Sequence, residues 1–281
     1  MSGLRANIEA VVRVALAEDV GPGDVTTEAA VPADLRVTAK IIQKQPGVIF
    51  GLDCAVESFH QIDPTAAVTI TCEEGVWRDG GDVLTVEATA RGILTAERTA
   101  MNLLGSLSGI ATLTARYVKA VEGTEAKILD TRKTGPGLRL LQKAAVAAGG
   151  GTNHRVGLYD AFLLKENHIA TAGGILAAVA ACRAFRPDLP VEVECQNLTE
   201  VVEAMDASAP RLLLDNMDNS QLFTAVGIVG GRAETEASGG VSLESVRAIA
   251  QTGVDFISVG ALTHSAPTLD LSLLIDLPGG E

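Results

Sequence analysis

VEVECQNLTEVVEAMDASAPRLLLDNM, residues 191–217, contains the unit that decides the fold. Val191–Cys195 is a short strand candidate, Thr199–Asp206 has helical character, and Arg211–Asp215 is a second short strand. The same alternation continues on both sides. Strand candidates recur at Lys127–Thr131, Ala161–Lys165, Ala233–Ser238 and Phe256–Gly260, with helical segments at Leu138–Ala148, Gly174–Phe185, Ser220–Val229 and Ser242–Gln251. Short apolar strands separated by helices predict a parallel sheet covered on both faces. The strands visible this way fall short of the eight that close a full barrel, so the pattern predicts an incomplete α/β barrel. A doubly wound open sheet is the alternative, because periodicity does not report closure.

Upstream the period changes. Ile8, Val11, Val12, Ala15 and Leu16 fall at helical spacing, and Gly21-Pro22-Gly23 ends that run. Val37, Ala39 and Ile41 then alternate with Thr38 and Lys40, Val68, Ile70 and Cys72 alternate with Thr69 and Thr71, and Val83–Ala90 is a third strand. A helical stretch from Gly92 to Val121, with a break expected near Gly105 or Gly109, leads into the barrel. Residues up to about 100 thus predict a small α+β domain.

With 281 residues, 47% of them hydrophobic and only 3% aromatic, the chain can bury a large aliphatic core. Its longest charge-free stretches, Thr99–Ala115 and Ile169–Cys182, are shorter than the ~20 apolar residues of a membrane span. The N-terminal MSGLRANIEA has no apolar signal-peptide core, so a soluble cytoplasmic protein is expected. Cys54, Cys72, Cys182 and Cys195 form no Cys-x-x-Cys pair, and for the two that sit in apolar or alternating runs buried free thiols are expected rather than metal ligands. A formal net charge of −13 argues against a nucleic-acid surface and makes any local basic cluster informative.

The charged residues fall at the carboxyl ends of the strands: Asp130-Thr131-Arg132-Lys133, Lys165-Glu166-Asn167-His168, Glu194, Asp215-Asn216 and Glu236-Ala237-Ser238-Gly239-Gly240. Those ends converge on one rim, where barrel enzymes place their chemistry. Wet loops would account for one or two such junctions, but poorly for five in succession. Ser238-Gly239-Gly240, before a helix expected to open near Ser242, and Ser258-Val259-Gly260 suit a phosphate. Arg132, Lys133, His154, Arg155 and Lys165, with Arg98 on the preceding helix, suggest a ligand with several negative charges. Glu194 and Asp215 suit a divalent cation or sugar hydroxyls. No second histidine lies at ligand spacing from His154, so an anion contact is expected there.

These residues sit in longer strings. DTRKTGPGLR (130–139) and GGGTNHRVGLYDAFLLKENHI (149–169) closely resemble quinolinate phosphoribosyltransferases, also called nicotinate-nucleotide pyrophosphorylases (carboxylating). The resemblance extends, in order, through EDVGPGDVTT (18–27), GVIFGL (47–52), ERTAMNLL (97–104), LSGIAT (107–112), VEVE (191–194), LLDNM (213–217), EASGG (236–240) and ISVGALTHS (257–265). It implies an α/β sandwich domain over 1–105, with 268–281 packing back on it, and a seven-stranded incomplete α/β barrel over 106–267. The implied reaction transfers phosphoribosyl from phosphoribosyl pyrophosphate to quinolinate with decarboxylation, using Mg2+, in a homodimer whose sites are shared.

By motif, Arg132, His154, Arg155 and Lys165 match residues that hold quinolinate, and Arg98 matches an arginine donated by the partner. Lys133, Glu194 and Asp215 match the catalytic residues around phosphoribosyl pyrophosphate, the two carboxylates also as magnesium ligands. Ser238, Gly239, Gly260 and His264 match its phosphate loops. Ala144, Ala147, Gly105 and Ser106 depart from the pattern, which carries larger side chains there. The rivals are a phosphoribosyltransferase for nicotinate and a sugar-phosphate or nucleotide sensor without chemistry. The cation count favours a dicarboxylate, and the intact Lys133, Glu194 and Asp215 speak against lost chemistry.

Overall fold

The structure, a computed structural model, describes residues 2–276. In chain order the elements are α1 (Ser2–Val20), α2 (Val25–Ala30), β1 (Arg36–Gln43), β2 (Gly47–Val48), α3 (Leu52–Ile62), β3 (Ala67–Ile70), β4 (Trp77–Arg78), β5 (Gly81–Thr89) and α4 (Ala90–Ala120). There follow β6 (Lys127–Leu129), α5 (Arg139–Ala148), β7 (Phe162–Leu164), α6 (Glu166–Ala172), α7 (Ile175–Phe185), β8 (Val191–Cys195), α8 (Leu198–Asp206) and β9 (Arg211–Asp215). The chain closes with α9 (Asn219–Val229), β10 (Glu234–Ser238), α10 (Val246–Ala250), β11 (Phe256–Ser258), α11 (Ala261–His264) and β12 (Leu271–Asp276). Among the described residues no single helix is long and apolar enough to cross a membrane.

These elements fall into two compact units. The first comprises residues 2–115, 134–150 and 265–276. Its sheet has the order β12-β1-β5-β3, all antiparallel. The alternation read in the sequence sets its packing: Val37, Ala39, Ile41 and Gln43 of β1 are buried while the residues between them are not. Ile41, Leu84, Phe59, Ile93 and Leu104 are fully buried in one core. Phe59 comes from α3, a helix absent from the sequence reading, whose buried face also carries Leu52 and Ala55. Residues 271–276 of the C-terminal segment form the edge strand beside β1, with Ile41 opposite Leu273. Residues 277–281 of that segment lie outside the described residues.

Two expectations fail here for one physical reason, close backbone approach. The break expected near Gly105 or Gly109 does not occur, because α4 is continuous. A Cβ on Gly109 would lie 2.0 Å from the Pro267 carbonyl oxygen, and one on Gly105 would lie 2.9 Å from Thr268. The Gly105 carbonyl accepts the Leu269 N–H at 3.0 Å. These glycines admit the C-terminal segment rather than end the helix. The boundary expected at 105/106 lies within α4, and the two compact units divide further along the same helix, at 115/116. Likewise α5, read as a barrel helix, belongs to this unit: a Cβ on Gly149 at its end would meet Ala111 O of α4 at 2.4 Å.

The second unit, residues 116–133 and 151–264, is built on a six-stranded parallel sheet ordered β6-β11-β10-β9-β8-β7. The seventh strand implied by the family resemblance is reduced to one bridge, Leu129 to Thr152, beside β6. Two main-chain hydrogen bonds hold it, Thr152 N to Ile128 O at 2.8 Å and Asp130 N to Thr152 O at 3.2 Å. Leu212, Leu214 and Val193 are fully buried, as strands covered by helices require. Capping fixes where those helices start. The Asn197 side chain accepts the Glu200 N–H of α8, and Asp218 with Gln221 forms a capping box on α9. The helix expected to open near Ser242 begins only at Val246, because Ser242–Ser245 forms its own hydroxyl turn, Ser242 N donating to Ser245 Oγ at 3.0 Å.

Candidate active site

Parallel strands present alternate residues to one face. The register sets Glu194 opposite Leu213, Ser238 opposite Asp215, and Glu236 opposite Leu213. That face, with the loops beyond the strands, lines an open cavity of about 810 Å³. Arg132, Lys133, His154, Arg155, Lys165, Glu194, Asp215, Ser238, Gly239, Gly260 and His264 all line it. Arg98 does not. It is an exposed residue of α4, in the other unit.

One side of the cavity is cationic. Arg155 is half-buried, and its pKa is lowered first by burial and then by the charge of Arg132. Its Nη1 donates to Ala161 O at 3.1 Å, while its Nε is buried with no hydrogen-bond partner. A half-buried guanidinium beside a second arginine, both lining one open cavity, suits an anionic ligand. Lys165, at the end of β7, ion-pairs with Glu194 across to β8 at 3.1 Å. Asp215, at the end of β9, accepts from Asn216 Nδ2 at 2.7 Å.

Beyond β10 and β11 the chain is shaped by close contacts. Gly239 has φ +103°, and a Cβ there would lie 2.1 Å from Asn216 Oδ1. Gly260 has Lys133 and His264 against it, each 3.2 Å from where a Cβ would sit. Thr263 Oγ1 of α11 donates to the Lys133 carbonyl at 2.8 Å and fixes the backbone that carries this lysine. The helix-dipole part of the phosphate expectation is not supported. The helix after Gly240 has only five residues, and the Ser242 N–H is already taken by Ser245.

His154 lines the cavity and its ring also reaches protein partners. Its Nδ1 accepts the Arg155 N–H at 2.7 Å, and its Nε2 faces Glu192 Oε2 at 2.8 Å. Both ring nitrogens thus have protein partners in a residue that lines the cavity. The sequence places Glu236 at a strand end without giving it a role, and it does not single out Glu192 or Arg211, whose guanidinium pairs with both glutamates. Burial pushes the Glu236 carboxyl up, to about 7, whereas His154 and Arg211 hold Glu192 below the usual range against its own desolvation. His154, Glu192 and Glu236 present oxygen and nitrogen atoms within 4.8 Å of one another, as a metal site would. Arg211 already supplies the cation there, stacked 4.1 Å from the Phe256 ring centroid. Asp130, fully buried, accepts the His154 N–H at 2.8 Å, and Asp160 accepts those of Val156 and Gly157.

Family models match nearly the whole chain: residues 24–108 match the N-terminal domain of quinolinate phosphoribosyl transferase, and residues 110–274 its C-terminal domain. The chain belongs to the quinolinate phosphoribosyltransferase family. A Mycobacterium leprae relative, nicotinate-nucleotide pyrophosphorylase [carboxylating], is 49% identical over 270 residues, covering 93% of this chain and 95% of the relative. The rice relative of the same name, marked chloroplastic, is 43% identical over 96% of this chain and 78% of its own length. The solved nicotinate-nucleotide pyrophosphorylase of Francisella tularensis superposes with a TM-score of 0.94 at 42% identity, covering 97% of both chains. The quinolinate phosphoribosyltransferase fold thus accounts for both units, the antiparallel sheet and the parallel one.

Proposed function

We propose that this enzyme transfers the phosphoribosyl group of phosphoribosyl pyrophosphate to quinolinate with loss of carbon dioxide, giving nicotinate mononucleotide and pyrophosphate for NAD biosynthesis. The observation that carries the reading is the pairing of Arg132 with Arg155, two like charges in one cavity with Lys165. Like charges facing one cavity suit an anionic ligand, and a dicarboxylate meets more of these cations than a monocarboxylate does.

Pyrophosphate leaves the ribose C1, positive charge builds on the sugar, and the ring nitrogen captures that carbon. Lys133 offsets charge on the leaving group, and Glu194 with Asp215 orients the ribose. No nucleophilic side chain is needed, so positioning supplies much of the acceleration. Alkylation makes the ring nitrogen cationic. The bond to the adjacent carboxylate then breaks, its electron pair remains on the ring carbon beside that charge, and the carbon takes up a proton. Ser238, Gly239, Gly260 and His264 receive the phosphates in this reading. Glu194 and Asp215 end adjacent strands and offer only carboxylate oxygens, a set suited to magnesium. Bound there, magnesium supplies positive charge against the pyrophosphate.

The enzyme in this reading is a cytoplasmic homodimer in which Arg98 serves the partner's cavity. Its exposure on α4 and its absence from the cavity lining of its own chain support that role. The test offers quinolinate and nicotinate side by side with phosphoribosyl pyrophosphate and magnesium. Quinolinate should be consumed with release of carbon dioxide and nicotinate left nearly untouched. Equal or faster use of nicotinate refutes the reading.

A further inference from the structure

Below the cavity, the inner face of the sheet is charged where a parallel sheet is usually apolar. Glu192 of β8, Arg211 of β9 and Glu236 of β10 meet there, and the Glu192 and Glu236 side chains are only 7% and 0% exposed. Buried charges persist only when paired, and each of these is. Arg211 Nε lies 3.2 Å from Glu192 Oε1, its Nη2 pairs with Glu236 Oε2, and the Ser258 hydroxyl donates to Glu236 Oε1. The fourth member is His154, which reaches in from beyond the Thr152 bridge to Glu192 at 2.8 Å and Glu236 at 3.6 Å.

The hydrogen-bond directions decide the ring's chemistry. A backbone N–H only donates, so the 2.7 Å contact from Arg155 N makes His154 Nδ1 an acceptor without a proton. The ring proton then sits on Nε2 and is donated to the Glu192 carboxylate. One ring therefore joins a buried carboxylate to the backbone of Arg155, which lines the cavity beside Arg132.

We propose that Glu192 is a positioning residue for the ring-acid site: it fixes His154 as the Nε2–H tautomer, which anchors Arg155 by its main chain, and Arg211 with Glu236 holds Glu192 in place. This rests on the ring-acid reading of the cavity given above. A carboxylate outside the cavity lining then bears on the affinity of an anion within it, through the placement of an arginine.

Glu192→Leu removes the acceptor at nearly constant volume, whereas Glu192→Gln keeps an amide oxygen for the Nε2–H. Losing a charge-assisted hydrogen bond that orients a binding group should raise the KM for the ring acid about 10- to 100-fold in the Leu variant. The KM for phosphoribosyl pyrophosphate should stay within about twofold, and Gln should recover most of the loss, as expected if the retained hydrogen bond is what matters. A purely structural Glu192 would lower the melting temperature and leave both KM values of the folded enzyme alone, or raise them alike. Either outcome overturns the proposal.

Should the Leu variant not fold, 15N NMR of the wild-type protein decides. Its four histidines are separable by a His154→Asn control, and His154 Nδ1 should give the signal of a nitrogen that accepts a hydrogen bond and carries no proton. A protonated Nδ1 overturns the proposal. This measurement needs no substrate, so it stands apart from the question of turnover. A wild-type protein that ignores quinolinate would refute the proposed reaction while leaving the tautomer to be read.

Discussion

Gly239→Ala is the smallest change that should separate the two halves of the cavity. Gly239 has φ +103°, a conformation that costs an L-residue about 1–3 kcal/mol. Its new methyl would also lie 2.1 Å from Asn216 Oδ1, 2.7 Å from Cγ and 3.0 Å from the backbone nitrogen. Rotating the Asn216 side chain relieves the first two contacts but not the third, so the loop must shift as well. Asn216 has little slack of its own. It already stands at φ +55°, its N–H is bound to Ser238 O at 2.8 Å, and its Nδ2 holds Asp215 at 2.7 Å. Clearing the methyl therefore frees Asp215 and moves the Ser238–Gly240 turn together. A shift of about 1 Å at a positioned group can cost ~100-fold in rate. We expect kcat/KM for phosphoribosyl pyrophosphate to fall by about that factor and the urea-derived stability to fall by about 1–3 kcal/mol. Quinolinate binding, measured by equilibrium titration, should change little, because Arg132, Arg155 and Lys165 are untouched. If Gly239→Ala retains the parent's kcat/KM for phosphoribosyl pyrophosphate within twofold, the turn does not bear on that substrate and the assignment of Ser238–Gly240 fails.

Three further outcomes follow from the same geometry. Arg132→Lys keeps the charge but loses the two-pronged donor, so quinolinate affinity should drop about tenfold or more by titration while phosphoribosyl pyrophosphate affinity changes less; unchanged quinolinate binding would remove Arg132 from the ring site. Arg98→Ala and Lys133→Ala should each lose at least about 30-fold in activity. Co-refolding the two should restore activity, because a mixed dimer has one site with neither defect; a mixture that stays inactive despite confirmed subunit exchange refutes the shared site. Glu236 is raised in the folded protein from 4.5 to about 7, so between those values the native state holds a proton that the unfolded chain has released. Stability from this group is full below pH 4.5 and is lost as pH rises toward 7, and Glu236→Gln should flatten that slope in urea melts at pH 5 and pH 7; an unchanged slope would show that Glu236 is ionised throughout.

The strand–helix alternation was legible because short apolar strands and their helices leave separate periods in the sequence, and β8 and β9 fall at the very bounds read from Val191–Cys195 and Arg211–Asp215. The rim residues were legible for the same reason: a charge that ends an apolar strand stands out. What lay deeper was not. In Val-Glu-Val-Glu, the period of two puts Glu192 and Glu194 on one face. Only Glu194 was read as functional, since Glu192 sits where a parallel sheet normally buries an aliphatic side chain. Arg211 opens its strand, so it looked like a residue of the opposite, wet end. It in fact turns onto Phe256 and into the two glutamates. Gly105 and Gly109 carry a signal that is ambiguous in one dimension. A glycine in a helix reads as a weak point until the backbone of Pro267–Leu269 is brought against it. His154 shows the limit most clearly. Its residue type and its place in the motif suggest a ligand contact, and they say nothing of Arg155 N on one nitrogen and Glu192 on the other, partners 1 and 38 positions away. The sequence therefore shows where charge meets the substrate. Which of those charges is held, and by what, depends on strand pairings that no local pattern encodes, and the loss expected of Glu192→Leu measures how much binding rests on that hidden layer.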